Sequence, residues 1–164
     1  MPGTMRAIDA SSIVYGWDNY PPDQFPRLWD WLATEISSGQ LVIASVALEE
    51  VEHVAPDCAK WLKDASVRQL GIGNAEVTKA LEIQKALGVS DGDFHPKGVD
   101  ENDILIISSA QTNGMPLITN EGRQDDLPGD MKKYKIPAVC GLPGVNVATM
   151  SFVEYIKQSK EVFG

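Results

Sequence analysis

The sequence predicts an α/β fold, a three-layer α/β/α sandwich around a central, mostly parallel sheet. Short apolar strands alternate with helical segments along the 164 residues, the order that gives parallel strands joined by crossover helices. Leu41-Val42-Ile43-Ala44 is a continuous apolar run, as expected of a strand covered on both faces. Three helical segments each stop at a glycine, Gly39, Gly88 and Gly114, the residue that ends helices at low conformational cost.

Residues 6–10 and 12–15 form an apolar stretch interrupted by Asp9, which reads as a short strand ending near Ser11. Tyr20-Pro21-Pro22-Asp23 marks a turn and a helix start. Phe25, Leu28, Trp29, Leu32 and Ile36 follow at helical spacing. The strand at 41–44 leads into a helix from Val46 to Val54, and Trp61 and Leu62 mark a second short one. Asn74 to Leu87 reads as a helix with Val77, Ala80, Leu81, Gln84 and Leu87 near one face, and Ser90 to Gly98 as a polar loop. Glu101 to Asn113 is an isoleucine-rich helix. Pro116 to Thr119 is a strand, followed by a polar loop to Tyr134. Val145-Asn146-Val147 reads as a last strand and Ser151 to Ser159 as a last helix. Leu70-Gly71-Ile72-Gly73 is a loop that lacks the third glycine of a dinucleotide fingerprint.

A hydrophobic fraction of 43% with 23% charged residues suits one folded domain spanning 1–164. No apolar run reaches the roughly 18–20 residues of a membrane span, and Met1 to Arg6 is too short and polar for a secretory signal. Cys58 and Cys140 are far apart and lack Cys-x-x-Cys spacing, so a reducing, cytoplasmic setting is expected and a thiolate zinc site is not. Glu50 and His53 have the Glu-x-x-His spacing of di-iron bundles, but such sites need two copies on an all-helical fold. His53 and His95 read as surface or packing residues. Trp29, Trp31 and Trp61 suit core packing or a protein interface better than base stacking.

Acids fall where ligands bind in open parallel sheets, at the carboxyl ends of strands. Asp9 ends the first strand, Glu50 lies in the helix after the second, and Glu121 sits two residues past Thr119. Asp103 lies in the first turn of the isoleucine-rich helix, where it also suits a capping box with Asp100. Gathered carboxylates repel unless a cation or proton compensates. Hard oxygen ligands point to Mg²⁺ or Mn²⁺. The one basic concentration, Lys132, Lys133 and Lys135 with Arg123 nearby, is a candidate phosphate-contacting rim or a solvated loop. The net charge of −9 opposes simple phosphate binding. Either metal neutralises gathered acids, or a basic partner covers them, or RNA is not the substrate.

These residues resemble PIN-domain nucleases, including VapC-type toxins of toxin–antitoxin pairs. Ile8-Asp9-Ala10-Ser11 resembles the family's opening Asp-x-Ser, and Ala44 to Val51 the segment of the second acid, with Glu50 aligned before Glu49. Asp103 to Ala110 resembles the Asp-x-x-Ile-x-x-x-Ala helix. Leu117-Ile118-Thr119-Asn120-Glu121 is similar to the Val-Thr-x-Asp segment, with glutamate where aspartate is usual. Tyr20 to Pro26 with Trp29 and Trp31, and Lys135 to Cys140, resemble a little-characterised PIN subfamily. The resemblance implies a PIN-like fold and a metal-dependent endoribonuclease acting on single-stranded RNA. Asp9, Glu50, Asp103 and Glu121 would be its catalytic, metal-holding acids, with Asp125 or Asp126 as alternatives to Glu121. Ser11 and Thr119 would orient ligands or water. An antitoxin protein and a homodimer are its implied partners.

Two other readings stand beside it. One is a catalytically degenerate PIN-like interaction module. The other is a different phosphate-hydrolysing α/β enzyme, for which the sequence lacks both the second aspartate of haloacid-type phosphatases and the aspartate–lysine pair of receiver domains.

Overall fold

A computed structural model describes residues 4–164; Met1 to Gly3, part of the stretch read as too polar for a signal, lie outside the described residues. Five parallel strands form one sheet in the order β3-β2-β1-β4-β5. They are β1 (Arg6–Ile8), β2 (Leu41–Ala44), β3 (Arg68–Leu70), β4 (Leu117–Ile118) and β5 (Thr149–Met150). The helices are α1 (Ala10–Asn19), α2 (Pro26–Ser37), α3 (Ser45–Val54), α4 (Pro56–Asp64), α5 (Asn74–Leu87), α6 (Glu101–Thr112), α7 (Ile136–Cys140) and α8 (Phe152–Ser159).

The chain steps from β1 out to β3 in one direction, then returns past β1 to β4 and β5 in the other. Right-handed crossovers therefore place α1 to α4 on one face and α5 to α7 on the other. The reversal lies between β1 and β4, which are neighbours. At such a switch point the outgoing chains diverge and leave a crevice beyond the strand ends.

β1, β2 and β4 are covered on both faces: Ala7, Ile8, all of β2, Leu117 and Ile118 are buried. On the first face, Trp29 meets Trp17 and Trp61 edge-on, with ring centroids 5.2 and 4.9 Å apart, which joins α1, α2 and α4. The Trp29 indole N–H donates to the Tyr20 carbonyl at 2.6 Å, so the Tyr20-Pro21-Pro22 turn is pinned by the core it precedes. These tryptophans are packing residues.

The structure corrects several sequence expectations. Beyond Ile8 the chain turns into α1, so Ile13, Val14 and Tyr15 are helical. Two β-branched residues in a row look like strand, but the Asp9 carboxylate caps the helix start. β3 carries no strand signal in the sequence, because Arg68 and Gln69 are exposed and only Leu70 is buried; an edge strand lacks the apolar signal. On α5 the buried face is Ala80, Ile83 and Leu87, while Val77 and Leu81 are exposed. Val145 and Val147 are buried, but Asn146 between them has φ +52°. That left-handed residue breaks the extended chain, and the last strand forms at Thr149–Met150 instead. α7, three of its five residues buried, follows the polar loop to Tyr134 in a segment for which the sequence predicts no element.

Two long connections meet beside the N-terminus of α6. The backbone N–H of Val99 donates to Tyr134 O at 3.0 Å, and Lys132 pairs with Asp93 at 3.0 Å. Gly98 makes this approach possible: a Cβ there would lie 1.8 Å from the Lys132 carbonyl oxygen. Gly98→Ala should push the two loops apart and cost about 1–3 kcal/mol, read as a lower urea midpoint at unchanged m-value. A midpoint equal to wild type would show that the loops part without loss.

Candidate functional site

Asp9 is the first residue beyond β1, only 3% exposed. Its backbone N–H donates to Ile118 O at 2.8 Å, continuing the β1–β4 pairing. The carboxylate is held by three donors. Oδ1 accepts from the Ala10 N–H at 2.8 Å and so caps α1. Oδ2 accepts from the Ser11 hydroxyl at 2.8 Å and the Thr119 hydroxyl at 3.0 Å. Helix N-termini favour negative charge in this position.

Ser11 also accepts from the Asn120 backbone N–H at 3.0 Å. The Asn120 side chain was not singled out from sequence, yet it joins three elements. Its Oδ1 accepts from the Ser12 hydroxyl at 2.8 Å and the Phe152 N–H at 2.9 Å. Thr119 in turn accepts from the Glu121 N–H at 3.3 Å, so the sequence Thr-Asn-Glu fixes both its own turn and Asp9.

The other acids come from three further segments. Glu50, on α3, and Asp103, on α6, are partly exposed. Asp103 and Asp100 form the expected capping box: the Asp103 N–H donates to Asp100 Oδ1 at 2.8 Å, and the Asp100 N–H to Asp103 Oδ2 at 3.1 Å. Glu121 accepts from the Ile136 N–H at 3.3 Å, at the start of α7. The structure thus turns Glu121 inward against α7. Asp125 and Asp126 are exposed in the following loop.

Each of the four acids has its carboxyl pushed above its ordinary value. For Asp9 burial is the main cause, opposed by the Ser11, Thr119 and Ala10 donors and reinforced by Asp100. Glu50 rises to about 7 through burial, then through the charges of Asp9 and Asp100, with Asn102 hydrogen bonding pulling it down. Asp103 rises to about 8 through burial, against the Asp100 N–H, with Glu121, Asp100 and Asp9 adding repulsion. Glu121 rises through burial and the Asp9 charge, against the Ile136 N–H and Lys135. Four carboxyls from four elements therefore feel one another across the switch point. None of the four is in an ion pair with Lys or Arg among the described residues.

Hard oxygen donors with excess negative charge suit a divalent cation. Among the described residues no three His, Cys, Asp or Glu side chains converge closely enough to be a ligand set by themselves. Mg²⁺ in protein sites usually keeps several waters and takes only one or two carboxylates, and the open arrangement fits that mode. Cys58 and Cys140 are free and buried, with thiols pushed up to about 12 by burial. Such thiols are poor metal ligands.

An open cleft of about 630 Å³ adjoins the acids, lined by residues of α1 and α3 and by Asp100 and Asn102. A smaller hollow of about 280 Å³ lies on the Glu121 side, beside Arg123 and Glu154. Of the basic candidates, Arg123 is paired with Glu154 at 3.1 Å and Lys132 with Asp93. Lys133 is partly buried and Lys135 exposed. No described helix is long and apolar enough to cross a membrane.

Comparison with known proteins agrees with this architecture. The chain is similar to VapBC2 from Rickettsia felis, solved bound to a DNA fragment from its promoter, at 16% identity and TM-score 0.56, covering 90% of this chain and 98% of that one. It is similar to DNA-bound VapBC from Salmonella typhimurium at 14% identity and TM-score 0.56, covering 92% and 99%. PAE2754 from Pyrobaculum aerophilum matches at 12% identity and TM-score 0.51, covering 94% and 88%. At these identities the likeness shows the fold alone, which is PIN-like. No curated protein matches the chain by sequence. The family model described as a domain of unknown function, DUF4411, matches residues 7–163, so the chain belongs to the DUF4411 family.

Proposed function

We propose that this chain is a metal-dependent endoribonuclease that hydrolyses single-stranded RNA phosphodiesters. The observation that carries the reading is the mutual repulsion of Asp9, Glu50, Asp103 and Glu121, each destabilised as an anion and none in an ion pair among the described residues. The PIN-like fold supports it.

In this reading Asp9, Glu50, Asp103 and Glu121 hold Mg²⁺ or Mn²⁺, directly or through water. When bound, such an ion lowers the pKa of water and stabilises the leaving oxygen. Ser11 and Thr119 donate to Asp9 Oδ2 and hold its carboxylate plane, the kind of support on which ligand geometry depends. Glu121 reaches one methylene further than aspartate would, and its hydrogen bond from Ile136 takes up that length. Lys133, Lys135, Lys132 and Arg123 form the rim on the α7 side. Because Arg123 and Lys132 already have acidic partners, Lys135 is the rim residue best placed to meet phosphate.

The likeness to VapBC structures supports reading the chain as the toxin of a toxin–antitoxin pair with an antitoxin protein as partner; the family resemblance adds a homodimer, and the cysteine usage a cytoplasmic setting. A second reading, a catalytically degenerate interaction module, draws on the absence of a compact three-ligand set among the described residues.

Cleavage of a labelled pool of single-stranded RNA, with and without Mn²⁺, separates the two. Wild type should cut only with metal, and Asp9→Asn and Asp103→Asn should each lose at least about 100-fold while keeping wild-type circular dichroism. Asparagine keeps a capping oxygen at both positions, so folding is preserved. No metal-dependent cutting by a folded, partner-free preparation would move the assignment to the interaction module.

The raised carboxyls also set a pH dependence. Their folded-state values of about 7 for Glu50 and about 8 for Asp103 exceed ordinary unfolded values of roughly 4. Between those limits the folded state binds more protons than the unfolded state, so stability from these groups falls as pH rises. Metal-free protein should lose melting temperature from pH 5 to pH 8, and Glu50→Gln should flatten that slope. Mn²⁺ should stabilise more at pH 8 than at pH 6, since it binds the ionised carboxylates. Calorimetry that found the same slope in wild type and Glu50→Gln would contradict the raised Glu50 carboxyl.

A further inference from the structure

The cleft of about 630 Å³ beside the acids has a volume typical of small-molecule sites. Its lining is asymmetric. Ala10 and Val14 come from successive turns of α1, and Val54 from the end of α3, giving a wall that is apolar. Val54 is 65% exposed, so its side chain is open to contact from the cleft. The polar lining residues are Ser11 on α1, Glu49 and Glu50 on α3, and Asp100 and Asn102 at the start of α6. His53 is the one basic residue among the lining residues.

The polar groups are not equivalent. Glu50 belongs to the acid cluster, with Asn102 nearby favouring its ionised form. Asp100 is committed to capping α6. Glu49 is exposed and is in no ion pair among the described residues. It precedes Glu50 by one residue and lies one helical turn before His53. Its two oxygens are therefore available as a paired acceptor at the mouth of the cleft.

Building on the nuclease reading, we propose that this cleft is a nucleobase subsite, in which Val14 and Val54 cover the face of a base and the Glu49 carboxylate reads its edge, favouring guanine. Phosphate is excluded by the charge: three carboxylates face the cleft against one histidine. The uncharged part of a nucleotide is the base, whose faces pack on apolar side chains while its edge is read by hydrogen bonds. The lining offers acceptors, so it selects an edge that donates. Guanine presents N1–H and N2–H side by side, matching the two oxygens of one carboxylate, whereas uracil presents a single N–H between two carbonyls. Ser11 and Glu50 line the same cleft, so a base seated here would leave its neighbouring phosphodiester beside the acid cluster.

The test uses the full chain with Mn²⁺ and a set of oligoribonucleotides identical except for one central G, A, C or U, read by initial cleavage rate at that position. The guanosine substrate should be cut about tenfold faster than the uridine substrate. Glu49→Gln should shrink that ratio to about threefold or less, and Val54→Asp should raise KM for the guanosine substrate more than it changes kcat. Glu49 and Val54 are exposed, so both variants should fold, which circular dichroism checks. Cutting that ignores the central base, or a guanosine preference unchanged in Glu49→Gln, would overturn the subsite and leave the nuclease standing. Failure to cut any member of the set would overturn the nuclease reading and the subsite together.

Discussion

One carboxylate ties the architecture to the site. Asp9 Oδ1 caps α1, and Oδ2 takes hydroxyl donors from Ser11 on α1 and Thr119 beyond β4. The residue sits where the β1 and β4 chains diverge, so the crevice left by the sheet topology is bridged by its side chain. Burying a carboxylate this deeply is unfavourable without compensation. Three donors and a helix N-terminus supply much of it, and the remaining strain appears as an upward shift of the carboxyl. The same contacts that make the fold continuous across its switch point thus fix the orientation of the central acid.

Around Asp9 the chain adds negative charge. Asp103 is itself tied to Asp100 by the capping box, and Asp100 lies close enough to raise Asp9, Glu50, Asp103 and Glu121 together. A structural role explains Asp103 as the third residue of a cap. It does not explain why Glu50 and Glu121, from different elements, both lie within reach of the Asp9 charge. Carboxylates facing one another without lysine or arginine lower stability as they ionise, a cost that selection for folding alone would not favour.

The sequence carried this arrangement unevenly. Strands buried on both faces, such as Leu41–Ala44, declare themselves by unbroken apolar runs, and helices closed by Gly39, Gly88 and Gly114 declare their ends. Elements stabilised by tertiary contact were harder to see. β3 has one buried residue, and α7 is held by burial of Ile136, Val139 and Cys140. The acids were legible because each interrupts or follows an apolar segment at a strand end. Asn120 was not, since an asparagine in a polar turn carries no sign that Ser12 and Phe152 both need its oxygen. Nor could spacing show that Arg123 and Lys132 are already committed to Glu154 and Asp93, which depends on folding that brings residues about 30 to 40 positions apart together.

That commitment bears on how an acidic protein with net charge −9 could engage a polyanion. Where phosphate binding is carried by many free lysines and arginines, affinity falls steeply with salt, because each contact releases a counterion. Here two of the four candidate rim cations are neutralised within the protein, and the cleft beside the acids is lined by carboxylates. Affinity for RNA would then rest on metal–phosphate contact and on base contacts rather than on long-range attraction. Both act at short range, and neither accelerates encounter with a negatively charged strand. On this footing the protein would bind RNA slowly and with weak salt dependence, recognising a short accessible segment rather than the charge of the whole chain. In the proposed nuclease, an acidic surface that resists non-specific nucleic-acid binding would be compatible with a site that engages phosphate through metal.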